Sequence, residues 1–229
     1  MFPPMRQRAL LVILVVAAWS AGCASLPAGT YYPSPADPNT VRVAHIMHRA
    51  AVAAGDDPTR YSFAFIKSQH AAAYTDEDAT FYITDGLARL PSPVLEAAIA
   101  HEVAHEVLDH VGTRKRLALS LNAGFGTAGF FAPGVGLLDF VVNPLVVRAF
   151  SRQQELAADQ RAIEILRAMG NPAPRRSLAQ SLRAVDAVLV RTRDEGGSLL
   201  DTHPTLEGRL KALEPLEPAA VAEVRNKKR

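Results

Sequence analysis

Cysteine is nearly absent from this chain: Cys23 is the only one among 229 residues. No internal disulfide can form, so the fold must be held by apolar packing. A hydrophobic fraction of 48% is enough for one full domain plus some non-globular extras. Charge bias is also missing. The 25 Lys and Arg nearly balance the 23 Asp and Glu, and no basic stripe interleaved with aromatics occurs, which argues against a nucleic-acid partner. The short basic end Arg225 to Arg229 reads as part of a solvated polar tail over 216–229.

The surroundings of the lone cysteine are informative. Arg6 and Arg8 precede an apolar run from Ala9 to Ala18, and small residues then lead to Cys23. The run is shorter than the roughly 20 residues of a membrane span and has the layout of a bacterial export signal over 1–22. Ser20-Ala21-Gly22-Cys23 resembles a lipobox, with Ser20 where leucine is usual. Lipidation of Cys23 accounts for a single thiol in an exported chain, the alternative being an incidental signal-peptide cysteine. Acyl chains on Cys23 would hold the protein on a membrane surface. Ala24 in place of aspartate resembles the sorting signal for the outer membrane.

Prolines 27, 33, 35 and 38 make 23–39 an extended tether, and the folded domain is expected over 40–215. Val41 to Ala54 reads as a helix capped by Thr40 and ended by Gly55, with Val41, Ala44, Met47 and Ala51 on one face. His45 and His48 on it have no further ligand nearby and read as surface histidines. Tyr61 to Lys67 and Thr80 to Thr84 are strands, separated by a turn at Asp76-Glu77-Asp78, and Asp85-Gly86 breaks the second. Ser92 as N-cap and Pro93 then open a helix with the apolar stripe Leu95, Ile99, Val103 and Val107, with His110 at its end and Gly112 as its stop.

That helix carries His101-Glu102-Val103-Ala104-His105. One turn separates the histidines, so both imidazoles leave one face with Cβ atoms about 6 Å apart and can reach one metal ion, a zinc-ligand spacing. Glu102 lies a fraction of a turn away, where a carboxylate can take a proton from water without coordinating. It is the candidate general base. The site still lacks a third ligand.

Charge is absent again from Leu117 to Leu138. A single membrane crossing there would put any later ligand on the wrong side from His101. Pro133 divides the region into pieces too short for two spans. The 117–148 stretch therefore reads as a helical flap over the cleft or an interfacial insertion, with buried core helices as the alternative.

Beyond it, Ser151 to Met169 reads as a helix on which Glu155 and Asp159 share a face. Taken alone the pair would be solvated. Next to two histidines, a glutamate ligand followed one turn later by an aspartate that accepts an imidazole N–H is what a His₂Glu catalytic zinc requires. Ser177 to Val190 forms another amphipathic helix. Asp201-Thr202-His203-Pro204 then precedes a last helix containing Arg209. The proline extends the backbone at His203, which suits presentation of its ring or an ordinary surface-loop histidine.

Together, the H-E-x-x-H with His110 after it, Ser151-Arg152 through Glu155 to Asp159, and Thr202-His203-Pro204 with Arg209 resemble the HtpX-like and CAAX-prenyl-protease-like zinc metallopeptidases, peptidase family M48, in their exported lipoprotein branch. The resemblance runs from about Tyr61 to Leu213. It implies an α+β, predominantly α, gluzincin-type domain with a small β-sheet beside the motif helix. It also implies one Zn²⁺ per chain on His101, His105 and Glu155, with Glu102 as base and Asp159 behind the ligands. His203 matches a loop histidine that stabilises the oxyanion or caps the metal at rest. Thr80, Tyr82 and Thr84 match an edge strand that pairs with extended substrate. The chain departs from the family at Ala71-Ala72-Ala73-Tyr74 and Asp78-Ala79, where asparagine, alanine, phenylalanine and glycine are usual. The metzincin pattern is excluded, since Leu108 and Val111 stand where its glycine and third histidine belong.

The resulting expectation is a zinc metalloendopeptidase, lipid-tethered in the bacterial envelope and facing the periplasm, at the outer membrane rather than the inner. Its substrates would be unfolded or misassembled envelope proteins. The rival reading is a periplasmic chaperone or assembly factor with a latent or structural zinc site, which would have no need of Glu102 beside the metal.

Overall fold

The computed structural model describes residues 26–76, 79–113, 116, 152–194 and 206–218. Helices supply most of the fold, and a four-stranded mixed sheet lies beside them. The strands are β1 (Thr30–Tyr31), β2 (Ser62–Ile66), β3 (Ala73–Asp76) and β4 (Thr80–Thr84). The helices are α1 (Pro38–Ala54), α2 (Asp85–Ala88), α3 (Ser92–Val107), α4 (Arg152–Ala168), α5 (Pro174–Asp194) and α6 (Leu206–Ala212).

Helix α1 starts earlier than the sequence suggests. Asp37 caps it, accepting from the N–H groups of Asn39 (2.9 Å) and Thr40 (3.1 Å), and Pro38 takes the first turn. Thr40 is thus a donor to the cap and not the cap itself. Gly55 ends the helix at φ 77°, a left-handed position that glycine occupies without strain. The buried face is Val43, Ile46, Met47, Ala50, Ala51 and Ala54, whereas Val41 is 54% exposed and Ala44 is also outside. The alanines and valines allow several helical stripes of similar polarity, and Arg42 selects among them. Its guanidinium donates to Ala88 O, Leu90 O and Ser92 Oγ, which fixes how α1 is rotated against the chain entering α3. His45 and His48 are exposed, as read from the sequence.

The sheet order is β1-β2-β4-β3, with β2 and β4 parallel and the outer pairs antiparallel. Two sequence expectations are corrected here. Part of the expected tether is docked, since Thr30 and Tyr31 pair with Ile66 and Phe65, and Tyr31 Oη donates to Asp85. The strand Thr80 to Thr84 is interior, flanked by β2 and β3, so Thr80, Tyr82 and Thr84 have no open edge to offer a substrate. The edge belongs to Ala73–Asp76, part of which was read as a turn. The chain reverses after it, with Ala79 at φ 52°. Gly86 follows β4 where the chain passes close by: a Cβ there would stand 2.1 Å from Gln69 O.

One sheet face, through Phe65, Phe81 and Ile83, joins the main core formed with α1, α3, α4 and α5. The other face carries a small cluster of Ala64, Ile66, Tyr82 and Tyr74. Helix α3 is the centre of the arrangement, touching α1, α4, α5 and β3, and ten of its residues from Leu95 to His105 are buried. Its boundaries also differ from the reading. Pro91, which has no side-chain acceptor, occupies the N-cap position, and the Ser92 hydroxyl accepts from Arg42 instead of capping the helix. The helix closes at Val107, the chain turns through Asp109 at φ 53°, and a further helical turn over 110–113 contains Gly112.

Candidate metal centre

Helix α3 places His101 and His105 one turn apart on the face that meets the first turn of α4, where Glu155 stands. The two Nε2 atoms face each other at 3.1 Å. Glu155 closes the third side, with Oε2 3.4 Å from His101 Nε2 and Oε1 3.4 Å from His105 Nε2. One donor atom from each residue lies within 4.8 Å of the others, and all three residues are buried. Two imidazole nitrogens and a carboxylate converging in a buried cluster form a donor set suited to a divalent metal.

The rings are aimed by their far nitrogens. His101 Nδ1 lies 3.1 Å from Asp159 Oδ1, one turn beyond Glu155 on α4, so Asp159 accepts that N–H and turns Nε2 toward His105 and Glu155. His105 Nδ1 lies 3.0 Å from Nδ1 of His110. The sequence marks His110 only as part of a pattern. Its contact depends on the break in the helix at Leu108 and Asp109, which no helical spacing foretells.

Arg209, carried by α6, enters the same cluster. It grips Asp159 with Nε at 2.8 Å and Nη2 at 2.6 Å, and its Nη1 lies 2.8 Å from Glu155 Oε2. A buried guanidinium on a seven-residue helix leaves little periodic signal, so the sequence shows its position without its role. Burial and the charge of Arg209 oppose protonation of His101, yet hydrogen bonds to Asp159 and Glu155 overcome both and push its pKa up to about 9. A divalent cation between the same donors competes for that site.

Charge balance gives an independent test of fit. Among the described residues the buried charged side chains are Glu102, Glu155, Asp159 and Arg209, so three carboxylates face one guanidinium in a single cluster. Buried anions in that excess are costly. With His101 neutral as a ligand, the surplus is two negative charges, and a divalent cation on His101, His105 and Glu155 balances them; without the cation, a protonated His101 offsets one.

Glu102 is 5% exposed and lies between the ligands in sequence. Its Oε2 accepts from Thr75 Oγ1 at 2.6 Å, a partner on β3 that the sequence reading did not single out. The structure therefore brings His101, Glu102, His105, Glu155 and Asp159 together and adds His110, Arg209 and Thr75. His203, Cys23 and the 117–148 insertion lie outside the described residues.

Comparison with known families agrees with this geometry. The model for Peptidase family M48 matches residues 38–217, a span that holds every residue of the cluster. No curated protein matches the chain.

Proposed function

The chain belongs to peptidase family M48 and so has the fold and donor set of a metallopeptidase, and on that premise we propose that it is a zinc endopeptidase acting on extended protein segments. The observation that supports this most directly is the convergence of His101, His105 and Glu155 with a carboxylate, Glu102, beside them that does not belong to the donor set. Zinc at this position would supply Lewis acidity, bringing the pKa of water to about 7 and polarising a peptide carbonyl. Glu102 then accepts the proton of the attacking water and delivers it to the leaving amine. Asp159 and His110 meet the two imidazoles at Nδ1 and so orient them with Nε2 toward the position the metal would take, and Arg209 holds Asp159. His203 is proposed as the donor to the developing oxyanion, a contribution of about 3 kcal/mol for a single such donor.

The substrate is proposed to pair along the open edge of β3, the role first assigned to Thr80, Tyr82 and Thr84. An edge strand adds an extended peptide through its free N–H and C=O groups. The finer assignments rest on the sequence. They are the HtpX-like lipoprotein branch, a lipid on Cys23, a periplasm-facing location at the outer membrane, and unfolded or misassembled envelope proteins as substrates.

Metal analysis beside a protease assay on an unfolded protein tests the reading. One zinc per chain with cleavage, and Glu102→Gln keeping the zinc while losing cleavage, is the expected result. Zinc without any proteolysis in the unmutated chain would overturn it in favour of the chaperone reading. For the anchor, Cys23→Ser is expected to release the protein from the membrane fraction, and continued membrane association would move the attachment to the 117–148 region.

A further inference from the structure

Thr75 occupies a position where two requirements of peptide hydrolysis meet. It is the third residue of β3, and its hydroxyl lies 2.6 Å from Glu102 Oε2 and 3.5 Å from Glu102 O. Both side chains are buried, Thr75 at 8% exposure and Glu102 at 5%. A threonine hydroxyl has one proton to give, and an acceptor-only carboxylate receives it, which leaves Oε1 as the oxygen able to take a proton in the reaction.

The backbone of Thr75 faces elsewhere. Strand β3 pairs with β4 alone among the described residues, with Thr75 opposite Phe81 and Tyr74 opposite Tyr82. The Thr84 N–H donates to Ala72 O at 3.1 Å, one step before the strand begins. In an antiparallel ladder hydrogen-bonded and non-hydrogen-bonded positions alternate, so Tyr74 is turned to β4 while Ala73 and Thr75 turn N–H and C=O to the side away from β4, where no described strand lies. Thr75 is thus the residue whose main chain faces the strand edge and whose side chain grips Glu102.

We propose that Thr75 is a positioning residue that couples strand docking to the aim of the general base. A peptide pairing with the edge fixes the backbone of Thr75, and the Thr75 hydroxyl then holds the Glu102 carboxylate in one rotamer, with Oε1 free for the proton transfer. This rests on the peptidase reading above, with Glu102 as its base. The hydrogen bond replaces solvent as the partner of a carboxylate that burial has cut off from water. Precision at the base matters because a displacement of about 1 Å at a reacting group can lower a rate by about 100-fold.

The test compares Thr75→Val, Thr75→Ala and Thr75→Ser in the full chain, with zinc content, thermal unfolding and peptide hydrolysis measured for each. Valine keeps the shape and strand preference of threonine and removes only the hydroxyl. The expected result for Thr75→Val is unchanged zinc, KM within about twofold and kcat lower by about 10- to 100-fold. Thr75→Ser, which keeps the hydroxyl, is expected to regain most of the rate, and Thr75→Ala to lose it as valine does. Wild-type kcat in Thr75→Val, or equal losses in the valine and serine variants with folding intact, would overturn the proposal. If Thr75→Val does not fold, the alanine and serine pair carries the same comparison. Crystal structures of the variants give a readout that does not pass through activity. Glu102 turned from its place in Thr75→Val but not in Thr75→Ser supports the coupling, and an unmoved carboxylate in both overturns it. An unmutated chain that binds zinc yet cleaves nothing would sink the peptidase reading, and those structures would still decide whether Thr75 holds Glu102.

Discussion

Nδ1 of His105 and Nδ1 of His110 lie 3.0 Å apart, five residues from each other along the chain, with the positive-φ Asp109 between them. One of the two must carry the proton. If His105 is to direct a bare Nε2 toward a bound metal ion, its Nδ1 carries the hydrogen and His110 accepts it, so His110 is neutral with its own proton on Nε2. His110→Ala should then free the ring of His105 to rotate and lower metal affinity by about 10- to 100-fold, measured by competition with a chelating dye. A side-chain carbonyl that can accept the same N–H, as in His110→Gln, should recover part of that loss.

Arg209 is the one buried guanidinium among the described residues, and it faces Asp159 and Glu155. Arg209→Leu removes that charge from both buried carboxylates and should destabilise the metal-free protein by about 3–5 kcal/mol, the usual cost of breaking a buried pair. For a domain of this size that corresponds to a fall in Tm of roughly 10 °C in a thermal melt. Arg209→Lys should lie in between, keeping the charge but losing the two-pronged grip on Asp159.

Stripping the metal should lower Tm, because a cation that binds only the folded chain stabilises it by mass action, about 2.7 kcal/mol at a free concentration 100 times Kd. Zinc or cobalt should restore the melt. Calcium or magnesium should not, since two of the three donors are imidazole nitrogens and those ions require oxygen. Restoration by calcium alone would contradict the donor set.

Far from the metal, Glu217 reaches back to the start of α5 and accepts from the N–H groups of Arg175 (3.1 Å) and Arg176 (2.9 Å). Burial works to raise its pKa, but those two amides outweigh it and hold the carboxyl below its usual 4.5. A depressed carboxyl contributes stability that is fully present above pH 4.5 and is lost as pH falls through the lower folded value. Glu217→Gln should therefore cost about 1 kcal/mol at neutral pH, as lost helix caps do, with the difference narrowing in acid. Denaturant melts of both proteins across that range provide the measurement.

The candidate metal-binding residues could be picked out in the sequence because their placement depends on local geometry. His101 and His105 are one turn apart whatever surrounds them, and so are Glu155 and Asp159, which leaves only the docking of α3 on α4 to be supplied by the fold. The strand Ala73–Asp76 was not legible. It is four residues long, mixes alanine, tyrosine, threonine and aspartate, and gains its identity from pairing with β4. With β3 unseen, the edge was assigned to its neighbour and Thr75 passed unnoticed. The caps of α1 and α3 were misplaced for a related reason. Asp37, Thr40 and Ser92 are all competent cap residues, and only the long-range bond from Arg42 shows that Ser92 is engaged elsewhere.

His105 and Glu155 are separated by fifty positions, on helices that meet only in the finished domain. A nascent chain therefore presents its histidine pair well before the carboxylate that completes the donor set, and two imidazoles alone grip a divalent ion weakly. A divalent cation held by all three residues would therefore tie α3 to α4, and its firm binding would require both helices to be in place.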